Sequence, residues 1–213
     1  MKSSKNINFG SELIRLLVCA GLSALFLLVF SVATSPLAPN NYIGDSAFFI
    51  LVGQGMTKGL LPYRDFFDMK GPYLFFFEYL GQKICYGRTG AFIMQIIGMT
   101  ITLFFTDKAN RLILKKKNIF VEILMFVPVL VFAAGSFGDG HLTVETSLPF
   151  LAISLYGALK YFTECNDAGK ALNHNKIYTA WYGFSFGVIV FIRITNAGLI
   201  GAILLTMTIY LLV

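Results

Sequence analysis

Six apolar runs organise this chain, at 16–34, 89–106, 119–134, 146–162, 177–192 and 197–213. Each is close to the roughly 20 mainly apolar residues that a helix needs to cross a bilayer. Inside lipid every backbone N–H and C=O must be satisfied within the segment, so an isolated run of this kind folds as a helix. Only 13% of the 213 residues are charged and 56% are hydrophobic, where a soluble domain carries about a quarter charged residues. The sequence predicts an all-α integral membrane protein, one polytopic domain over 1–213 with about six transmembrane helices. Ser31-Val32-Ala33 looks like a signal-peptide cleavage site. The run before it exceeds the roughly 7–15 residues of a signal core, however, and reads as an uncleaved anchor.

Charge gives the sidedness. The net charge of +6 is not a nucleic-acid signature, because the basic residues stand beside apolar runs. They cluster at Lys2 and Lys5, at Lys108, Arg111, Lys115, Lys116 and Lys117, and at Lys170 and Lys176. That pattern marks topology and attracts anionic membrane lipid. The segment 72–86 is aromatic and short and carries Glu78, Gln82 and Lys83. If it spanned, the triple lysine would face outward, against the positive-inside tendency. Laid along the outer interface, it leaves all three clusters cytoplasmic. The expectation is therefore a multi-pass protein of the cell membrane with a cytoplasmic N-terminus. Its outward parts are a first loop with interfacial helices at 35–88, a loop at 135–145 and a turn at 193–196. Asp45, Asp65, Asp68, Lys70, Asp139, Glu145 and Arg193 gather on that side. Cys19, Cys85 and Cys165 lack metal-site spacing and imply no disulfide framework.

The first outer loop holds the unusual chemistry. Asp45 fronts an amphipathic stretch at 46–56, expected to lay Phe48, Phe49, Leu51 and Val52 on the membrane surface. An acid there is either a helix cap or a cavity-facing group, and both readings stand. Gly53, Gly55 and Gly59 are expected to break that helix. Arg64 beside Asp65 and Asp68 reads as a salt-bridge cluster pinning the loop. In Lys70-Gly71-Pro72 the glycine permits close backbone approach, and the lysine is a compact charge suited to phosphate. In the second loop Asp139, His141 and Glu145 leave a divalent metal open, although one His with two acids is thin support. No cofactor is predicted. Arg193, followed by Thr195-Asn196, is either an interface anchor or a phosphate ligand. His174 reads as solvated.

Several pieces together carry a family resemblance: Ser35-Pro36-Leu37, Gly44-Asp45, the glycine-rich helix to Gly59, and Pro62-Tyr63-Arg64-Asp65 leading to Lys70-Gly71-Pro72. Gly138 to Glu145 with Leu148-Pro149-Phe150, and Arg193-Ile194-Thr195-Asn196, extend it. The chain resembles the N-terminal part of a GT-C membrane glycosyltransferase, of the protein O-mannosyltransferase and aminoarabinose transferase kind and their bacterial cell-envelope branch. The resemblance covers most of the chain, with 45–72 its specific core. It implies a lipid-linked sugar donor, a polyprenyl phosphate, and a cell-envelope acceptor hydroxyl. It places Asp45 as the general base. It gives Arg64, Asp65, Asp68, Lys70, Glu145 and Arg193 as the substrate-binding set, with Lys70 and Arg193 on the donor phosphate. The family's basic-Pro-Pro element stands here as Lys70-Gly71-Pro72, one proline short. Such enzymes carry more spans, and Val213 falls inside an apolar run, so a longer protein is expected. The alternatives are a transporter or flippase fragment and a non-catalytic assembly subunit. Against a transporter, the mid-span residues are mostly apolar, Gln95 and Glu122 excepted.

Overall fold

A computed structural model describes residues 9–38, 44–114, 140–169 and 172–212. The run at 119–134, the lysines at 2, 5, 115–117 and 170, and Asp139 lie outside the described residues. Among the described residues the elements are all helical: α1 (Phe9–Phe30), α2 (Gly44–Thr57), α3 (Pro72–Ile84), α4 (Arg88–Leu114), α5 (Thr143–Ala168), α6 (Lys176–Val190), a 3₁₀ turn (Ile194–Ala197) and α7 (Gly198–Leu212). Two of them, α1 with 22 residues and α4 with 27, are long and apolar enough to cross a membrane. At about 1.5 Å per residue, the 13 residues of α3 fall short of a hydrocarbon core about 30 Å thick.

The long helices have two chemically distinct ends. Near the start of α1, Arg15 reaches Asp107 of α4 at 3.2 Å and Glu12 accepts from Arg111 at 2.6 Å. Near the other end Phe26 and Leu27 pack on Phe92, so α1 and α4 are antiparallel. Gln95 meets Glu145, and Phe105 meets Tyr156, which makes α5 parallel to α4. The end opposite Arg15 therefore collects the close of α1, the starts of α4 and α5 and, through Asn196 on Thr143 and Ser147, the 3₁₀ turn. Helices α2 and α3 form a layer there.

That layer differs from the expected surface helix in two ways. Phe49 and Val52 do not lie on a membrane surface; they are fully buried with Leu74, Phe75, Val188 and Ile192. Leu51 alone of the expected set is well exposed. Nor do Gly53 and Gly55 break the helix, which runs to Thr57. A Cβ on Gly53 would stand 2.9 Å from Glu78 Cβ, so this glycine lets α2 seat directly on α3. Only Gly59, at φ +87°, turns the chain out. His174 is not simply solvated either, since its ring stacks on Tyr182 at 5.5 Å and meets Tyr161 edge-on at 4.6 Å.

The loop before α3 is anchored by Gly71, whose N–H donates to the Ile192 carbonyl at 3.3 Å. A Cβ there would run into the Phe191 carbonyl, which is backbone and cannot swing away. Gly71→Ala is therefore expected to cost about 1–3 kcal/mol, as overpacking does. Thermal melts in detergent check it, and an unchanged midpoint would show that this seat is loose.

Candidate functional site

A tight turn builds the exposed half of the site. Past Gly59, Asp65 accepts the Leu61 N–H at 2.8 Å, and Tyr63, held at φ 68°, donates its N–H to the Phe66 carbonyl at 2.7 Å. Arg64 grips Asp65 at 2.7 Å on the surface. Its hydrogen bonds, helped by the Leu61 N–H, hold the Asp65 carboxyl below the ordinary range. The two residues thus pin the loop, and solvent screening keeps such a pair weak.

Asp68 faces inward. Its Oδ1 accepts the Met69 N–H at 2.6 Å, and its Oδ2 lies 3.5 Å from Lys70 Nζ. The same ammonium reaches Asp45 Oδ2 at 3.1 Å and sits 5.0 Å from the Phe49 ring centre, a cation–π distance. Tyr63 O–H donates to the Lys70 carbonyl at 2.5 Å and fixes the backbone below it. The structure thereby joins Asp45, Asp68 and Lys70, with Asp45 61% exposed and Lys70 only 20%. Arg193 is exposed and makes no ion pair among the described residues. The backbone of 191–192 abuts Gly71, so Arg193 follows one residue after that contact. Glu145 is not part of this cluster.

Behind it lies a buried polar network. His141, 6% exposed at φ 61°, bridges three segments: its Nδ1 pairs with Ser46 Oγ at 2.6 Å and its Nε2 with Glu78 Oε1 at 2.7 Å. Burial disfavours the imidazolium, but the Glu78 carboxylate, with Glu145 beyond it, prevails and raises the His141 pKa. Glu145 Oε1 accepts the Leu142 N–H at 2.8 Å, which caps α5, and its Oε2 accepts from Gln95 Nε2 at 2.7 Å. Burial pushes the Glu145 carboxyl up, against these hydrogen bonds. Gln95 Oε1 in turn accepts from Ser31 at 3.2 Å and from Thr34. Glu145 is thus both a helix cap and a buried network member.

Among the described residues no three His, Cys, Asp or Glu side chains are grouped to hold a metal. Ser46 and Glu78 were not candidates on sequence. Glu78 carried the only signal, an acid within an aromatic segment that needs a partner. No family model matches the chain, and no curated protein or solved structure gives a significant match.

Proposed function

We propose that this chain is a multi-pass membrane transferase of the GT-C kind. It moves a sugar from a polyprenyl-phosphate donor to an acceptor hydroxyl of the cell envelope on the outer face. The observation that carries the reading is the Lys70 ammonium held between Asp45 and Asp68, from α2 and the following loop. The membrane setting is supported by α1 and α4, whose most apolar windows are only 28% and 22% buried. Apolar helices so little covered by protein suit lipid contact. Lys108 and Arg111 lie at the end opposite the site, which supports a cytoplasmic N-terminus; the count of about six spans rests on the apolar runs of the sequence.

The chemistry follows from the competition for Lys70. At rest its charge is shared by two carboxylates. A donor phosphodiester entering beside it offers a third anion, drawing the ammonium off Asp45 and leaving that carboxylate free. Asp45 then takes the acceptor proton as the hydroxyl oxygen attacks the anomeric carbon. The bond from that carbon to the phosphate oxygen breaks, and polyprenyl phosphate leaves with the electron pair. Lys70, with Arg193 on the adjoining turn, stabilises the charge gained by the leaving group.

Membranes containing the protein, given a panel of polyprenyl-phosphate sugars, should transfer from at least one and from no nucleotide sugar. Lys70→Ala is expected to raise KM for that donor by about 10-fold or more, with Lys70→Arg intermediate, because a lysine meets phosphate as a point charge. An unchanged donor KM would reduce Lys70 to a loop counter-ion. A transporter or flippase is the second reading, with the polar pair Gln95 and Glu145 on its path, although both stand near the starts of their helices. Lipid or solute movement in vesicles without sugar transfer would select it.

A further inference from the structure

We infer that the loop segment 66–70 immerses the side chains of Phe67 and Met69 in the outer leaflet, so that it faces the Lys70 cluster on one side and lipid on the other. The segment alternates. Phe66 packs on the buried cluster around Phe49 and Phe75, and Asp68 and Lys70 meet at 3.5 Å. Phe67 and Met69, set between them, are 88% and 94% exposed. Such alternation is that of extended chain, which sends successive side chains to opposite sides. Phe67 and Met69 therefore share the side turned away from the cluster, and lipid would remove their apolar surface from water.

The height of the segment names lipid as the partner. Gly71 is bonded to the Ile192 carbonyl, just past the end of α6 at Val190. At the far end of α3, a Cβ on Gly81 would stand 3.0 Å from the carbonyl of Gly90, in the first turn of α4. Helix α3 thus lies across the ends of both helices. Chain covers at most about 3.6 Å per residue, so Met69 is within about 7 Å of Gly71 and Phe67 within about 14 Å. Beside that seat the exposed Phe191 meets Tyr73 edge-on at 6.1 Å, and tyrosine is enriched at membrane–water boundaries. Charge agrees. Lys58 and Arg64 are exposed, while Asp65 is held by Arg64 and Asp68 turns to Lys70. Outward cations beside apolar side chains suit a lipid headgroup layer. The inference rests on the membrane setting proposed above and not on sugar transfer.

The test uses the whole chain in phosphatidylcholine vesicles whose acyl chains carry bromine either just below the headgroup or near the chain end. Bromine quenches tryptophan on contact, and Trp181 is the one tryptophan of the chain, so Trp181→Phe gives a dark background. Phe67→Trp and Met69→Trp are each expected to emit at shorter wavelength than tryptophan in water. Shallow bromine should quench them at least about 2-fold more than deep bromine, as a depth of about 5–10 Å requires. Leu25→Trp, on an exposed position of α1, is the membrane control and should be quenched in these vesicles. Quenching of Leu25→Trp with either loop position unquenched would overturn the inference and leave the membrane setting standing. With none of the three quenched, the membrane setting fails and the inference with it. Should Trp181→Phe not fold, each substitution is read as a difference from the wild type, which keeps Trp181.

Discussion

Asp45→Asn is expected to lower sugar transfer by about 100-fold or more, the usual scale of a lost general base, while the protein still inserts in the membrane. The substitution keeps shape and leaves a carbonyl oxygen for Lys70, but it removes the group that accepts the proton. Its effect on the fold should be small. Asp45 opens α2 and is 61% exposed, and a charge at such a helix start is worth about 0.3–1 kcal/mol. Transfer and melting midpoint therefore separate the two roles left open by the sequence. A helix cap would lose a little stability and no turnover; a base would lose turnover and little stability. Asp68→Asn is the matched comparison, since it too faces Lys70 but also caps the Met69 N–H. Retained turnover in Asp45→Asn would remove that residue from the mechanism and leave it as a partner of Lys70.

The contrast between what the sequence disclosed and what it hid follows sequence separation. Helical character, the short α3 and the pinned turn at Arg64 and Asp65 are local, and each has a local signal: apolar run length, a Gly-Pro start, opposite charges side by side. The approach of Lys70 to Asp45 is nearly local, closed by one turn of chain. The His141 bridge is different, because its partners lie 95 and 63 residues away. No spacing rule in a single sequence joins Ser46, Glu78 and His141. His141 was visible only as a metal candidate, and the structure gives its two nitrogens to protein partners instead. Gly53 shows the same limit from the other side. A glycine in a helix reads as a break, and only the α3 backbone beside it shows that close packing is its purpose.

The buried bridge is where a single side chain should matter most to the fold. His141→Ala is expected to destabilise the protein by about 3–5 kcal/mol, the range for breaking a buried charge pair by removing one partner. Glu78 would keep its burial and lose the hydrogen bond to its one satisfied oxygen, and Ser46 would lose its partner as well. The left-handed backbone at 141 adds strain for alanine. His141→Asn tolerates that conformation and keeps a donor, so it should lose less. The pH dependence is a second, independent readout. Because the folded His141 pKa is raised above its ordinary 6.5, its contribution is complete below about pH 6.5 and declines as pH rises toward the folded value. The Glu145 contribution has the same sign but begins to decline from about the ordinary 4.5, so the two start in different windows. Melting midpoints of wild type should fall with rising pH above 6.5, and those of His141→Asn should not show that component. An alanine variant within about 0.5 kcal/mol of wild type, the range of an ordinary surface change, would mean the bridge holds nothing. The helices α2 and α3 would then owe their arrangement to apolar contacts such as those of Phe49, Val52, Leu74 and Phe75.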